Sequence, residues 1–237
     1  MIHKTFANGK IEILVTDAEF GHVVPGDKNF HHRLLNRDLA SYPTVWMDQQ
    51  HTALVAHADK EGILPATDGV YSRTTDLMLV TKTADCVPIL LWNEKSSIIG
   101  ALHCGWKGFT AGVIDSFKFV GVNYEDCDMS DFSAFLGPHL RAEHFEVQQD
   151  FIGQLSEKKQ PYLIQRDGKT FFDITRGVTD ELNNIGISKI EDCGIDTYRN
   201  PEYFSYRTWT QSTENDRKES YSTFANCIVM KREEIKN

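Results

Sequence analysis

The sequence predicts a mixed α/β domain, and three observations predict it. Strand-length apolar runs crowd residues 45–103, helical spacing of apolar residues is confined to a few stretches, and no segment is repeated or low in complexity. A chain of 237 residues, 41% of them hydrophobic, is long enough to bury a sizeable core and fits one generous domain.

Taken in order, IEILVT at 11–16 is rich in branched residues and predicts a strand. HHRLLNRDLASY at 31–42 places Leu35 and Leu39 on one helical face, and Pro43 marks the end of that helix. From residue 45 the pattern changes to closely spaced strands, VWMDQQ, TALVAHA, LMLVT, VPILLW and SIIGALH, separated by polar or glycine-containing turns such as NEKS. These are expected at the centre of the sheet. Pro88 cannot donate to a ladder, so it opens its strand or lies where no hydrogen bond is needed. After CGWKG, the stretch 109–121 spaces Val113, Phe117 and Val120 along one face and predicts a helix stopped by Gly121. ITRGVTDELNNIG predicts a second helix, with Val178, Leu182 and Ile185 inward and Gly186 at its end. STFANCIVM at 222–230 is the last strand. The polar stretch 157–170, EKKQPYLIQRDGKT, has the composition of a linker, but the remaining C-terminal part is too poor in apolar elements for a second core. One domain over residues 1–237 is therefore expected.

Lysine and arginine total 25 against 34 aspartates and glutamates, a formal charge of −9 that argues against nucleic-acid or acidic-membrane partners. An anionic ligand needs a local cluster of positive groups. Five cysteines without a CxxC pair point to a reducing compartment, the cytoplasm. The first twenty residues mix charge and polarity, which predicts no secretory leader, and apolar runs of about six residues fall far short of the roughly 20 that cross a bilayer.

The most informative feature is His51, Cys86 and His103 at the predicted ends of three strands, 35 and 17 residues apart. Two imidazoles and a thiolate suit zinc, and three protein ligands leave a fourth position for water or substrate. Long spacings equally fit a satisfied core histidine and a small buried cysteine, so spacing alone leaves both readings open. The local wording adds weight: TADCVPILL places Asp85 and Cys86 in a turn before a strand, and ALHCGWKG places His103 just after one.

Six segments together resemble the YfiH family, also described as the multicopper polyphenol oxidase (laccase) domain or peptidoglycan editing factor family. They are QQHTALV at 49–55, ATDGVYSR at 66–73, TADCVPILL at 83–91, HCGWKG at 103–108, LGPHLRAEHFEV at 136–147 and NPEYFSYR at 200–207. The resemblance covers roughly residues 45–210. It implies a mixed sheet sandwich with flanking helices and a zinc centre of His51, Cys86 and His103. It also implies an enzyme of purine nucleosides, by phosphorolysis of adenosine, inosine or methylthioadenosine and by deamination of adenosine. The family's other labels imply copper-dependent phenol oxidation, or hydrolysis of an amide in a peptidoglycan precursor by zinc or by Cys86 as nucleophile. Three copper types demand many more histidines than these motifs supply. A catalytically silent, metal-stabilised binding protein is the reading from another class.

Beside the ligands, Asp85 reads as a proton carrier or a partner of the metal ligands, or as a turn aspartate satisfying backbone donors. Cys86 reads as ligand rather than nucleophile, given two neighbouring histidines. Lys107, at a helix start where the family usually has arginine, reads as a phosphate contact or a solvated lysine. Arg207 matches the family's arginine and reads as a substrate or phosphate contact. Trp106 offers a face to a purine, or a packing anchor. Arg73 and Arg141 are weaker cationic candidates, and His144 stands where many relatives have cysteine. Cys104, where the family usually has alanine, should point away from His103. Cys127, Cys193 and Cys227 read as free thiols or core residues, and His57 and His139 have no assigned role. The family's arginine and paired-glycine segment is not found, and residues 17–30 are shortened or changed. The sequence leaves the oligomeric state open.

Overall fold

The computed structural model describes residues 1–34, 38–212 and 221–232. Within them the strands are β1 (Ile2–Phe6), β2 (Ile11–Val15), β3 (Thr44–Met47), β4 (Val55–His57), β5 (Gly62–Leu64), β6 (Gly69–Ser72), β7 (Met78–Thr83) and β8 (Val87–Asn93). Then come β9 (Ile98–Cys104), β10 (Ser133–Leu136), β11 (Glu146–Val147), β12 (Leu163–Arg166), β13 (Lys169–Phe172), β14 (Lys189–Asp192) and β15 (Phe224–Met230). The helices are α1 (Phe30–Arg33), α2 (Trp106–Ala111), α3 (Val113–Asn123), α4 (Gln149–Ile152), α5 (Ile174–Asn184) and α6 (Tyr206–Gln211).

Two six-stranded sheets, ordered β1–β2–β15–β7–β3–β5 and β14–β10–β8–β9–β6–β4, form a sandwich, with a three-stranded sheet β11–β13–β12 beside it. Ile13, Val45, Leu79 and Ile228 from the first sheet meet Leu90, Trp92, Ile99 and Phe135 from the second in one apolar layer. Phe20, Phe30, Leu34 and Leu39 cover the outer face of the first sheet over Trp46 and Val80. Phe109, Phe117 and Val178, from α2, α3 and α5, cover the outer face of the second over Ile89 and Leu102. Central strands are buried on both faces, which is why VPILLW reads as an unbroken apolar run. Pro88 is the second residue of β8, beyond the last β10 residue that pairs with that strand, Leu136 opposite Ile89.

Several expectations are corrected. The helix over 109–121 is two helices, because Gly112 turns through a left-handed φ of 88° between them. Gly121 lies inside α3, where a Cβ would come 3.1 Å from Met129 Sδ, and does not end it. The 31–42 helix is reduced to the short α1 and a 3₁₀ turn over Asp38–Ser41; Leu39 is buried as expected, and Leu35 lies outside the described residues. The 157–170 stretch is no linker: it makes a 3₁₀ turn and the β12–β13 hairpin, which reverses through Asp167 and Gly168, both at positive φ. No helix among the described residues is long and apolar enough to cross a membrane.

One topological feature positions the chemistry. β3, β5 and β7 run parallel in the first sheet, and each hands the chain to the second sheet, to β4, β6 and β8. The three crossovers therefore leave the sandwich at the same end, where the antiparallel β9 also finishes. Each crossover turns through a non-glycine residue at positive φ, His51 (59°), Ala66 (52°) and Asp85 (88°). Such residues cost about 1–2 kcal/mol apiece and persist only where the surroundings hold them.

The second sheet tolerates α3 only by close approach at Gly100, where a Cβ would stand 2.8 Å from the buried ring of Phe117. Gly100→Ala should therefore lower the unfolding free energy by about 1–3 kcal/mol. Urea denaturation checks it, and an unchanged midpoint would mean that α3 shifts freely.

Candidate metal centre and cleft

The donor atoms of His51, Cys86 and His103 all lie within 4.8 Å of one another. Cys86 Sγ is 3.7 Å from His51 Nε2, and the two imidazoles meet edge to face at 4.7 Å between ring centres. Tetrahedral zinc bonds would hold a nitrogen and a sulfur donor about 3.6 Å apart, so the spacing fits. Gly105 keeps the cradle open: a Cβ there would stand 2.7 Å from Cys86 Sγ and 2.9 Å from His51 Cδ2. This is the single group of three or more potential donors among the described residues.

Asp68 organises the three. Its carboxylate, fully buried, accepts from His103 Nδ1 (2.8 Å), from the backbone N–H groups of Gln50 (3.1 Å), His51 (2.9 Å) and Thr52 (2.6 Å), and from the Thr52 hydroxyl (2.8 Å). Its carbonyl accepts from the His103 N–H at 2.7 Å. Burial raises its pKa, but the hydrogen bonds from His103 and Thr52 outweigh burial and bring it down to about 2. Burial lowers the His103 pKa, but the Cys86 and Asp68 interactions raise it to about 9, so without a metal the ring is an imidazolium. With Nδ1 donating to Asp68, Nε2 is the nitrogen left for a metal to take in exchange for a proton. Burial pushes the Cys86 thiol up, while the charge of His103 and hydrogen bonds from His103 and His51 pull it down to about 6, a thiolate at neutral pH. Cys104 points the opposite way, into the apolar layer under α2, and burial pushes its thiol up.

The triad opens onto a cleft of about 730 Å³. Of the residues singled out in sequence, Asp85, Trp106, Lys107 and Arg207 join the triad in lining it. Both Asp85 oxygens are engaged, one by the Thr197 hydroxyl and one by the Arg207 N–H, each at 2.6 Å. Burial raises the pKa of this carboxyl. Arg207 spreads over Phe145 and donates to the carbonyls of His144 (3.2 Å) and Glu146 (3.0 Å). The Lys107 ammonium stands 5.6 Å from the centre of the Trp106 ring, which packs on Phe151.

Arg73 is not brought to the cleft: it lies past the far end of β6, paired with Glu125. His144 lies outside the lining, bonded to Asp196 at 2.6 Å and stacked on Tyr198, and it touches the site only through its carbonyl on Arg207. Arg141 pairs with Asp192, and His57 packs against Tyr71. The buried His139 donates Nδ1–H to the Gly137 carbonyl (2.7 Å) and accepts at Nε2 from the Thr175 hydroxyl (2.8 Å), so it is neutral. Sequence reasoning missed Asp68, Gln49, Lys82, Tyr206 and Tyr221. Asp68, Gln49 and Tyr206 sit inside segments that carried the family resemblance; Lys82 and Tyr221 gave no signal.

A mixed α/β sandwich thus carries at its crossover end a His–Cys–His cluster that could hold a metal ion, and comparison places the chain in a family. The family model described as multi-copper polyphenol oxidoreductase laccase matches residues 27–230, and the chain belongs to this family, the YfiH family. It is 30% identical over 164 residues to a purine nucleoside phosphorylase of Campylobacter jejuni, spanning 69% of this chain and 70% of that one. Against the purine nucleoside phosphorylase YfiH of Escherichia coli K12 it is 31% identical over 176 residues, 72% and 70% of the two chains. The crystal structure of a hypothetical YfiH protein of Bacillus licheniformis superposes with a TM-score of 0.78 at 20% identity, covering 95% and 94%, which establishes the shared fold.

Asp68→Asn leaves a neutral amide where two imidazole-bearing segments need a carboxylate, and metal affinity should fall about 10- to 100-fold. Competition with a chelator reads this, and undiminished affinity would remove Asp68 from its organising role.

His139 gives a pH dependence. Burial first, then the charge of Arg141, depresses its pKa from 6.5 to about 4, against the opposing pull of the Gly137 carbonyl, Asp192 and Asp196. The unfolded chain takes up this proton below about pH 6.5 and the folded one does not, so the stability it confers is full above that pH and drains away towards pH 4. At about 1.4 kcal/mol per unit the loss is roughly 3 kcal/mol. Denaturation at pH 7 and 4.5 should show a shallower pH slope in His139→Gln than in the wild type.

Proposed function

We propose that this chain is a zinc-dependent purine nucleoside phosphorylase that also deaminates adenosine. The observation that carries the reading is the His51–Cys86–His103 triad, a thiolate and two oriented imidazoles, facing a cleft of nucleoside size. The names of the relatives support the same substrate class. A donor set of two nitrogens and one sulfur suits zinc. When bound, zinc supplies a Lewis acid that polarises an oxygen ligand in the cleft.

The chain's own residues supply the rest. Tyr206 and Tyr221 meet edge to face at 5.2 Å and, with Trp106, give the cleft aromatic surfaces for a purine ring. Arg207 and Lys107 place positive charge beside them. Asp85 acts through Arg207, holding its backbone at the rim, rather than on the substrate. In phosphorolysis a phosphate oxygen bonds to the sugar's anomeric carbon as the glycosidic C–N bond breaks. The bond pair leaves with the purine, whose ring nitrogen takes a proton, and the cleft lowers the barrier by holding the reactants in line and balancing charge. In deamination water replaces the amino group of adenosine and ammonia departs.

The purified protein should hold close to one zinc per chain. It should convert adenosine to adenine and ribose 1-phosphate with phosphate, and to inosine without it. Cys86→Ala should lose both metal and turnover while keeping its circular dichroism spectrum. A folded, metal-loaded protein that yields neither adenine nor inosine overturns the reading. Release of a product from a muropeptide precursor instead would assign the low-pKa thiol to amide hydrolysis.

A further inference from the structure

We infer that Lys82 is the cation that holds phosphate in the cleft, a specificity-determining residue outside every motif that carries the family resemblance. The inference rests on the phosphorylase reading. Three cationic side chains line the cleft, Lys82, Lys107 and Arg207, and they are not equivalent. The Arg207 guanidinium already donates to two backbone carbonyls. Lys107 is exposed, where water and salt weaken its pull on an anion. Lys82 is half-buried, and among the described residues its ammonium has neither a hydrogen bond nor an ion pair.

A half-buried ammonium with no direct hydrogen bond or ion pair keeps its donors free for a ligand, and a dianion beside it is held more tightly than at an exposed site. Burial lowers the pKa of Lys82, and the charges of Asp48, Asp68 and the Cys86 thiolate oppose that shift only in part.

The local structure also holds Lys82 in place. Beyond Met47 the chain of β3 leaves the sheet, and the Gln49 side chain takes over the ladder: its Nε2 donates to the Lys82 carbonyl (2.8 Å) and its Oε1 accepts from the Lys82 N–H (2.9 Å). One amide thus ties the His51 crossover to the strand that carries Lys82, four residues before Cys86. Lys82 belongs to β7, the strand that runs into the Cys86 crossover, and its side chain lines the same cleft as the triad.

The test compares zinc-loaded wild type, Lys82→Met and Lys82→Arg, with melting temperature and zinc content confirming that each is folded and loaded. Inorganic phosphate is titrated calorimetrically without nucleoside, and adenosine phosphorolysis is measured over a range of phosphate. Lys82→Met should weaken phosphate binding and raise the KM for phosphate at least tenfold while leaving the KM for adenosine within twofold, and Lys82→Arg should recover most of the loss. An active enzyme whose phosphate KM is unmoved in Lys82→Met overturns the inference and leaves the phosphorylase reading standing. Phosphate binding that depends on Lys82 in a protein without phosphorolysis keeps the anion site and sinks the reaction. A wild type that binds no phosphate overturns the inference.

Discussion

The centre depends on one buried carboxylate accepting from groups on separate segments. Asp68 opens β6, receives three consecutive backbone N–H groups of the β3–β4 crossover, and receives the imidazole at the end of β9. Without it the turn at His51 would keep its left-handed backbone and lose what offsets the strain. An ionised carboxylate is expensive to bury, and the cost is met only because its oxygens accept several donors with good geometry. The same hydrogen bonds that stabilise the charge aim His51 and His103, so burial of the aspartate and orientation of the two imidazoles are one event.

The resemblance and the strand-end placement made the His51–Cys86–His103 cluster legible because local wording marks strand ends, and strand ends converge when parallel strands share one end of the sandwich. The apolar runs of β7, β8 and β9 were legible for a related reason, burial on both faces. Shorter elements were not. β1 alternates half-buried and exposed residues, β10 offers only SAFL, and the β12–β13 hairpin is polar apart from its packed end, although its Asp-Gly turn was a usable sign. Arg73 stood as a weaker candidate of the same cationic kind, because sequence does not say which end of a four-residue strand faces the site. Lys82 was invisible for the converse reason: a lysine in an apolar strand carries no motif, and its meaning comes from the crossover beside it.

The charge of the whole chain, −9, would oppose an anionic substrate, and the cationic side chains of the cleft offset it locally. Fields from exposed carboxylates decay within about 8 Å at physiological ionic strength. Lys82, Lys107 and Arg207 line one concave surface, where water screens the half-buried Lys82 and Arg207 less than the exposed Lys107. The acidic surface thus governs encounter rate more than it governs what the cleft holds.

The laccase description attached to the family and the donor inventory of this chain point in different directions, and the inventory is the stronger guide because chemistry resides in sites rather than in fold names. Multi-electron oxidation of phenols requires several copper ions rich in imidazole. All nine histidines fall within the described residues, and only His51 and His103 share a donor cluster. His139 is committed at both ring nitrogens to Gly137 and Thr175, His144 is committed to Asp196, and His57 packs against Tyr71 away from the cleft. What is left is one candidate cluster with one thiolate and two imidazoles, a donor set that would suit a metal that polarises an oxygen better than a site that stores electrons.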